Sequence, residues 1–424
     1  MLRKTFFAFI ALAALPALAR HRAAVAPAPV THETIVATAL RVADRVAIDP
    51  DQPRLHWENA PYLDGLVLFG DELQRESNPN GARLIERAAS VILNSDDNIK
   101  DIYWGDGTAY AQVALDLYRV LPPSDPRRAA LLATLSGPMS FAEHAVRDSP
   151  AAGSPRDPWW IDGGFGTRYW QDDMYMVVPW LAMNGSSLDG LPANELSRNL
   201  AYEWIEAYVY DHRPSSSDPR EVAVPSAAAR NGFFLWDPDH DLFQHQPEWI
   251  GRSDVFWGRG NGWSAIALMR AAHYLDAPYS GTKYPSVISA PEIRDLLVRM
   301  AASLKARQTP NGGWGSDLSH PLDCPTAETS ATAMMTFFLA RGINEGWLDR
   351  ATYLPVVQKS FALLMQRVDS RGVIAGIQPP GVGPDCNRII ASDDPINVNY
   401  GAGVWLLAAS EVLKFSDGDL TGFR

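Results

Sequence analysis

The sequence predicts an all-α fold, six helical hairpins closed into a single (α/α)6 barrel. Hydrophobic residues from position 33 onward recur at helical spacing and fall into twelve segments of helix length. No run of alternating residues with tight Asn-Gly turns competes over a comparable length. The chain has 424 residues, 46% hydrophobic and 20% charged, which is enough to bury a large core. Length alone would suit two or three domains, but no obvious linker follows residue 32. No fixed repeat period favours a solenoid over a closed ring.

The twelve helices are predicted at about 33–47, 57–75, 81–94, 108–120, 127–147, 170–185, 193–211, 261–277, 290–308, 326–342, 351–368 and 398–415. The pattern is plain at 351–368, where Leu354, Val357, Phe361, Leu364 and Val368 follow at spacings of three and four. Asn194 followed by Glu195 marks one helix start, and Pro291-Glu292 opens another with first-turn proline and acid. Between the helices lie Gly- and aromatic-rich stretches at 155–170, 231–262, 310–325 and 371–400. Long irregular loops on a rigid scaffold usually carry function. Gathered at one end of a barrel, their Trp and Tyr rings would line a cleft suited to sugars.

The N-terminus reads as a secretory signal. Arg3 and Lys4 precede an apolar run from Phe6 to Leu15, then Pro16 and the small-residue site Ala17-Leu18-Ala19. The run is too short to span a bilayer. The expected organisation is a signal peptide at 1–19, a flexible Ala- and Pro-rich leader at 20–32 and one catalytic barrel at 33–424, secreted or periplasmic, with no membrane insertion after cleavage. Two cysteines, Cys324 and Cys386, cannot build a disulfide framework or a four-thiolate zinc site. Export would permit a bond between them.

A formal charge of −12 disfavours nucleic acid and anionic membranes as partners, since both need a basic face. The nine histidines include no H-x-x-x-H or H-E-x-x-H spacing. Asp237, Asp239 and Asp241 alternate like a calcium loop, but Leu242 stands where that loop needs glycine. There is no G-x-S-x-G nucleophile elbow.

Three segments carry chemistry. In Arg168-Tyr-Trp-Gln-Asp172-Asp173-Met-Tyr-Met, an Asp pair stands at the start of an apolar helix. It can cap that helix; alternatively, a carboxyl among Tyr169, Trp170, Met174, Tyr175 and Met176 loses hydration and becomes a proton donor at neutral pH. In Asp254-Val-Phe-Trp257-Gly-Arg259-Gly-Asn-Gly262-Trp263, glycines let the backbone turn tightly while Arg259 projects between two indoles. The guanidinium could grip a carboxylate and the indoles a pyranose, or the loop could plug the barrel. The third is Asp241-Leu-Phe-Gln-His245. Asp106, in Trp104-Gly-Asp-Gly-Thr-Ala-Tyr110, is another carboxylate at a helix start, with a cap role equally open.

Together these segments resemble glycoside hydrolase family 105, the unsaturated rhamnogalacturonyl hydrolases, and the related family 88 of unsaturated glucuronyl hydrolases. Gln171-Asp172-Asp173-Met-Tyr-Met-Val-Val-Pro179 is similar to the family's D-x-[LM]-[YF]-M helix start. Phe256-Trp-Gly-Arg-Gly-Asn-Gly-Trp263 is similar to its W-x-R-x-x-G-W loop, the most specific match. Asn311-Gly-Gly-Trp314, Glu328-Thr-Ser330, Gly342-Ile-Asn344, Gly376-Ile-Gln378-Pro379 and Tyr400-Gly401 follow in the family's order. The resemblance runs from about residue 50 to the C-terminus.

It implies an (α/α)6 barrel that removes a 4,5-unsaturated uronic acid from the non-reducing end of lyase-generated oligosaccharides, of rhamnogalacturonan type by default, with no metal or organic cofactor. One Asp protonates the vinyl ether and then helps water add at C5. On the matching positions, Asp172 is that acid/base and Asp106 a looser match to a second acid. His245, Trp257, Arg259 and Trp263 surround the acidic sugar. The region before Asp172 reads Ile161-Asp162-Gly-Gly-Phe165 where many members carry a His-Lys pair. That departure leaves the next sugar open to an ulvan-type alternative. Two further readings stand beside the hydrolase: a non-catalytic periplasmic glycan-binding barrel, and an ordinary inverting glycosidase using Asp172 and Asp106. Oligomeric state is not encoded in any of these features.

Overall fold

The computed structural model describes residues 30–46, 48, 57–94, 105–147, 171–210, 235–245, 256–281, 287–322, 326–380, 383–384, 386 and 395–420. The predicted signal peptide and the loop at 155–170 lie outside these residues.

The helices follow the expected order. They are α1 (His32–Arg45), α2 (Asn59–Arg75), α3 (Pro79–Asn94), α4 (Ala109–Val120), α5 (Arg127–Ala133), α6 (Ser136–Arg147), α7 (Asp172–Asn184) and α8 (Glu195–Val209). A two-stranded hairpin, β1 (Trp236–Asp237) and β2 (Leu242–Phe243), precedes α9 (Gly258–Tyr274), α10 (Ala290–Ala306), α11 (Thr329–Asn344), α12 (Arg350–Gln366), α13 (Pro395–Val412) and the short α14 (Asp417–Leu420).

Packing closes the ring. Helix α2 lies against α4, α4 against α7, α7 against α9, α9 against α11, α11 against α13, and α13 returns to α2. Around them α1 packs on α13, α3 on α2, α5 on α4, α8 on α7, α10 on α9 and α12 on α11. The sequence separates the two layers by the width of the apolar face. In α11 nearly every residue is buried, whereas α3 buries one stripe, Leu84, Ile85, Ala88, Ala89 and Ile92. Glycine closes the seam between first and last inner helices. A Cβ on Gly65 would lie 2.6 Å from the Gly403 carbonyl oxygen, and one on Gly403 would lie 2.3 Å from the Pro61 backbone.

Local caps explain the boundaries. Asn194 accepts from the Ser197 N–H, and Ser289 with Glu292 forms a capping box at the proline-containing start of α10. Thr31 builds another at α1, and Val30 just before it is buried. The single helix expected at 127–147 is two. Pro138 has no N–H for the Thr134 carbonyl and is accommodated in the first turn of a new helix, α6.

A charged knot crosses the barrel interior. The Arg270 guanidinium of α9 binds Asp64 of α2 and Asp116 of α4, all three buried. The Tyr175 hydroxyl of α7 donates to Asp64 at 3.3 Å. Burial, reinforced by the neighbouring Asp116 charge, pushes the Asp64 carboxyl above the usual carboxylate range. Burial also acts on Asp116, but Arg270 and Arg119 outweigh it and hold that carboxyl below the range.

The inner helices share a direction. Their C-terminal ends surround a cavity of about 600 Å³ whose charged groups pair with one another, as in Arg119–Asp71, Arg341–Glu411 and Lys414–Glu411. Their N-terminal ends meet the described aromatic loops, through bonds such as Gly258 N–H to Ser316 O and Thr329 N–H to Gly376 O. Cys386 is disulfide-bonded; Cys324, the other cysteine of the sequence, lies outside the described residues.

Candidate active site

Asp172 and Asp173 are the first two residues of α7. The capping alternative does not hold in its simple form: Gln171 occupies the N-cap and makes no side-chain cap bond, and both acids lie inside the helix. They enjoy the favourable end of the helix dipole. Asp173 is buried, while the Asp172 side chain keeps 17% exposure.

Gln171 fixes the start of α7 against the hairpin. Its N–H donates to the His245 carbonyl at 3.1 Å, and its side-chain amide donates to the Phe243 carbonyl at 3.0 Å. From the other side, Asn261 accepts from Phe243 N–H at 2.8 Å and donates to Phe243 O at 2.9 Å. The hairpin turn is made by Asp237, which accepts from the N–H groups of Asp239 and His240, and by Asp241 at φ 52°. Those three Asp residues therefore serve a turn.

This scaffold delivers His245 to the acid. Its Nδ1 lies 3.3 Å from Asp172 Oδ2, and its ring packs edge-on to Trp257 with centroids 4.6 Å apart. Burial, with help from the Arg259 charge, lowers the imidazole to about 3. His245 is thus neutral at neutral pH, and its contact with Asp172 is a polar contact with an uncharged ring.

Arg259 sits in the first turn of α9, which begins at Gly258 rather than near 261. The glycines around it answer close approach and not an unusual backbone angle. A Cβ on Gly258 would lie 2.2 Å from Gly315 O, and one on Gly260 would lie 2.7 Å from the Gln171 side chain. The rings flanking the guanidinium also differ from expectation. They are Trp257 at 4.8 Å and Tyr400 at 5.1 Å, so the second platform is a phenol, not the Trp263 indole. Trp263 falls one helical turn along α9 and points into the core, where it meets Tyr175 at 4.6 Å and Trp57 at 6.4 Å.

Arg259 is almost fully buried. Its Nη1 donates to the Gln378 carbonyl at 2.5 Å and to the Tyr400 hydroxyl at 2.7 Å, and its Nη2 donates to the Pro379 carbonyl at 2.8 Å. Three of its five donors therefore hold protein oxygens. The Trp257 indole N–H donates to Gln378 Oε1 at 3.0 Å. Gln378 and Tyr400 entered the sequence analysis only as parts of motifs; no spacing rule joins them to a loop over a hundred residues away.

The backbone of Asp106 lies in a 3-10 turn, Gly105–Thr108, directly before α4; its side chain lies outside the described residues. Asp172, His245, Trp257 and Arg259 converge, whereas Trp263 lies in the core against Tyr175 and Trp57. Among the described residues no group of three or more His, Cys, Asp or Glu could hold a metal ion.

Comparison with known proteins gives a consistent picture. Two curated relatives, each called "Unsaturated 3S-rhamnoglycuronyl hydrolase", come from Alteromonas sp. (strain LOR) and Formosa agariphila. The first is 32% identical over 185 residues, 42% of this chain and 42% of the relative; the second is 33% identical over 196 residues, 43% and 48%. The matched stretch spans less than half the length of either relative. Among solved structures, a glycosyl hydrolase family 88 protein from Bacteroides vulgatus has a TM-score of 0.62 at 21% identity, covering 91% of this chain and 99% of that one. A possible member of the GH105 family from Klebsiella pneumoniae has a TM-score of 0.63 at 18% identity, covering 90% and 93%; both share the barrel fold. The profile of Glycosyl Hydrolase Family 88 matches residues 37–416, nearly the whole described barrel, and the chain belongs to that family.

Proposed function

We propose that this protein removes a 4,5-unsaturated uronic acid from the non-reducing end of lyase-generated, rhamnose-containing oligosaccharides, with Asp172 as the acid/base. The observation carrying this reading is the Asp172–His245 contact beside the Trp257–Arg259 pair. It sets a partly exposed carboxyl beside a neutral imidazole. The names of the two rhamnoglycuronyl hydrolases support rhamnose as the next sugar.

In this reaction the Asp172 carboxyl gives its proton to C4 of the enol ether, and the cation at C5 is shared with the ring oxygen. The resulting carboxylate takes a proton from water as the water oxygen bonds to C5. The hemiketal then opens and releases the aglycone. One residue acts first as acid and then as base. Neutral His245 suits this cycle because it places no second full charge beside Asp172. The burial of Asp173 beside a partly exposed Asp172 supports giving the chemistry to Asp172. The secretory signal predicted from the sequence at 1–19 supports a reaction outside the cytoplasm.

The test is incubation with unsaturated disaccharides ending in rhamnose, sulfated or not, or in other sugars, following the ultraviolet band of the conjugated double bond. Loss of that band on rhamnose substrates is expected. Binding with an unchanged band would favour the glycan-binding barrel, and cleavage of saturated substrates would favour the inverting glycosidase.

A further inference from the structure

We infer that Glu328 is a positioning residue, acting through Gln378 to hold Trp257 and Arg259 where the substrate meets them; this rests on the reading of those two side chains as the sugar-binding groups. Glu328 is fully buried at the N-cap of α11. Its carboxylate accepts from Ser330 N–H at 3.1 Å, Ala331 N–H at 2.7 Å and the Ser330 hydroxyl at 2.7 Å. A fourth donor comes from outside the helix: the Gln378 N–H, at 2.9 Å.

Residue 378 converts that grip into site geometry. Its carbonyl receives Arg259 Nη1 and the Tyr400 hydroxyl, its Oε1 receives the Trp257 indole N–H, and its Nε2 donates to Gly383 O at 2.7 Å. The following proline restricts residue 378 to extended backbone and offers the second carbonyl of the fork to Arg259 Nη2. With N–H, C=O and side chain all engaged, a shift at Glu328 is passed to both substrate-facing groups.

Two physical points separate this from ordinary capping. Short Ser, Thr, Asp and Asn are the preferred N-caps; the extra methylene of Glu lets its carboxylate serve the cap and reach the Gln378 strand together. Secondly, a buried guanidinium needs a compensating charge. The Arg259 hydrogen bonds named above end on neutral oxygens, and the Glu328 carboxylate is bonded to the N–H of residue 378, whose carbonyl Arg259 holds.

The experiment compares Glu328→Gln, Gln378→Met and Ser330→Ala by steady-state kinetics on unsaturated disaccharides, thermal melting and near-ultraviolet circular dichroism. The Trp257 contribution to the dichroism is identified by its loss in Trp257→Phe. Glu328→Gln sets an amide N–H against donors while keeping shape. It should raise KM about tenfold with kcat changed less than about threefold, the pattern of lost uniform binding, and alter the Trp257 band. Gln378→Met removes the side-chain bond to Trp257 while leaving the backbone bonds to Glu328 and Arg259, and the cap, in place; it should raise KM and alter the Trp257 band as well, which keeps the test open if Glu328→Gln does not fold. Ser330→Ala removes one hydroxyl donor from the Glu328 carboxylate but leaves the Gln378 N–H bond in place, and should lower the melting temperature with KM unchanged. An unchanged KM and Trp257 band in the first two variants, or an equal KM rise in Ser330→Ala, overturns the assignment. If the wild-type protein turns over none of the disaccharides, the functional reading fails, and the Trp257 band alone decides the role of Glu328.

Discussion

Asp172 Oδ2 and His245 Nδ1 lie 3.3 Å apart, although their residues are separated by more than seventy positions in the chain. The contact exists because Gln171, one residue before the acid, bonds the backbone that carries His245. Asp172→Asn preserves the size of the side chain but removes the transferable proton. Turnover of the unsaturated disaccharide should fall by about 10²- to 10⁴-fold with melting temperature nearly unchanged. Normal turnover in this variant would remove Asp172 from the role of acid.

The lowered His245 value has a stability consequence. The unfolded imidazole takes up a proton near its ordinary 6.5, whereas the folded one resists until about 3. Between those values the unfolded state binds more protons, so stability rises with pH. The contribution is complete above about pH 6.5 and is lost as pH falls toward 3. Urea melts at several pH values should show this slope, and His245→Gln should flatten it. An identical slope in both proteins would contradict the neutral, buried imidazole.

Around Arg270, two similar carboxyl groups should respond differently. Asp64 is pushed toward its neutral form by burial, so Asp64→Asn replaces a protonated acid by a near-isostere and should cost about 1 kcal/mol or less at pH 7. Asp116 carries the charge that balances Arg270. Asp116→Asn leaves a buried cation short of its partner and should cost about 3–5 kcal/mol. Equal losses, measured by chemical denaturation, would mean that the charge is shared evenly. Because the folded Asp64 value is raised, its contribution is present below the usual carboxylate range and is lost as pH climbs through the folded value. Asp64→Asn should therefore hold its stability better than the wild type on the alkaline side.

The α2–α13 seam is a steric prediction. Gly403→Ala would force a methyl to within 2.3 Å of the Pro61 backbone, which has no flexible end to move aside. Overpacking of this sort costs about 1–3 kcal/mol. As α2 carries Asp64 and adjoins the site end of the ring, activity should fall along with melting temperature. A fully stable Gly403→Ala would show that the seam is looser than its backbone contacts imply.

Helical period and capping chemistry are local, so the succession of helices was legible in the chain itself. Even there the proline at 138 split one segment, because a missing N–H matters more than continued apolar spacing. The D-D pair, the W-G-R-G-N-G-W segment and L-F-Q-H were likewise visible as residues able to do chemistry. Tertiary structure decided what each one meets. It left the Asp172 side chain partly exposed and buried Asp173, lowered the His245 imidazole, gave Arg259 a Trp–Tyr pair of rings, and put Trp263 in the core. It also brought in Glu328, Gln378 and Tyr400. Those outcomes depend on burial and on contacts between segments that lie far apart in the chain, from 50 positions for Glu328 and Gln378 to 141 for Arg259 and Tyr400. Desolvation and charge pairing at such contacts arise only when the ring closes, whereas hydrophobic spacing acts within a single helix.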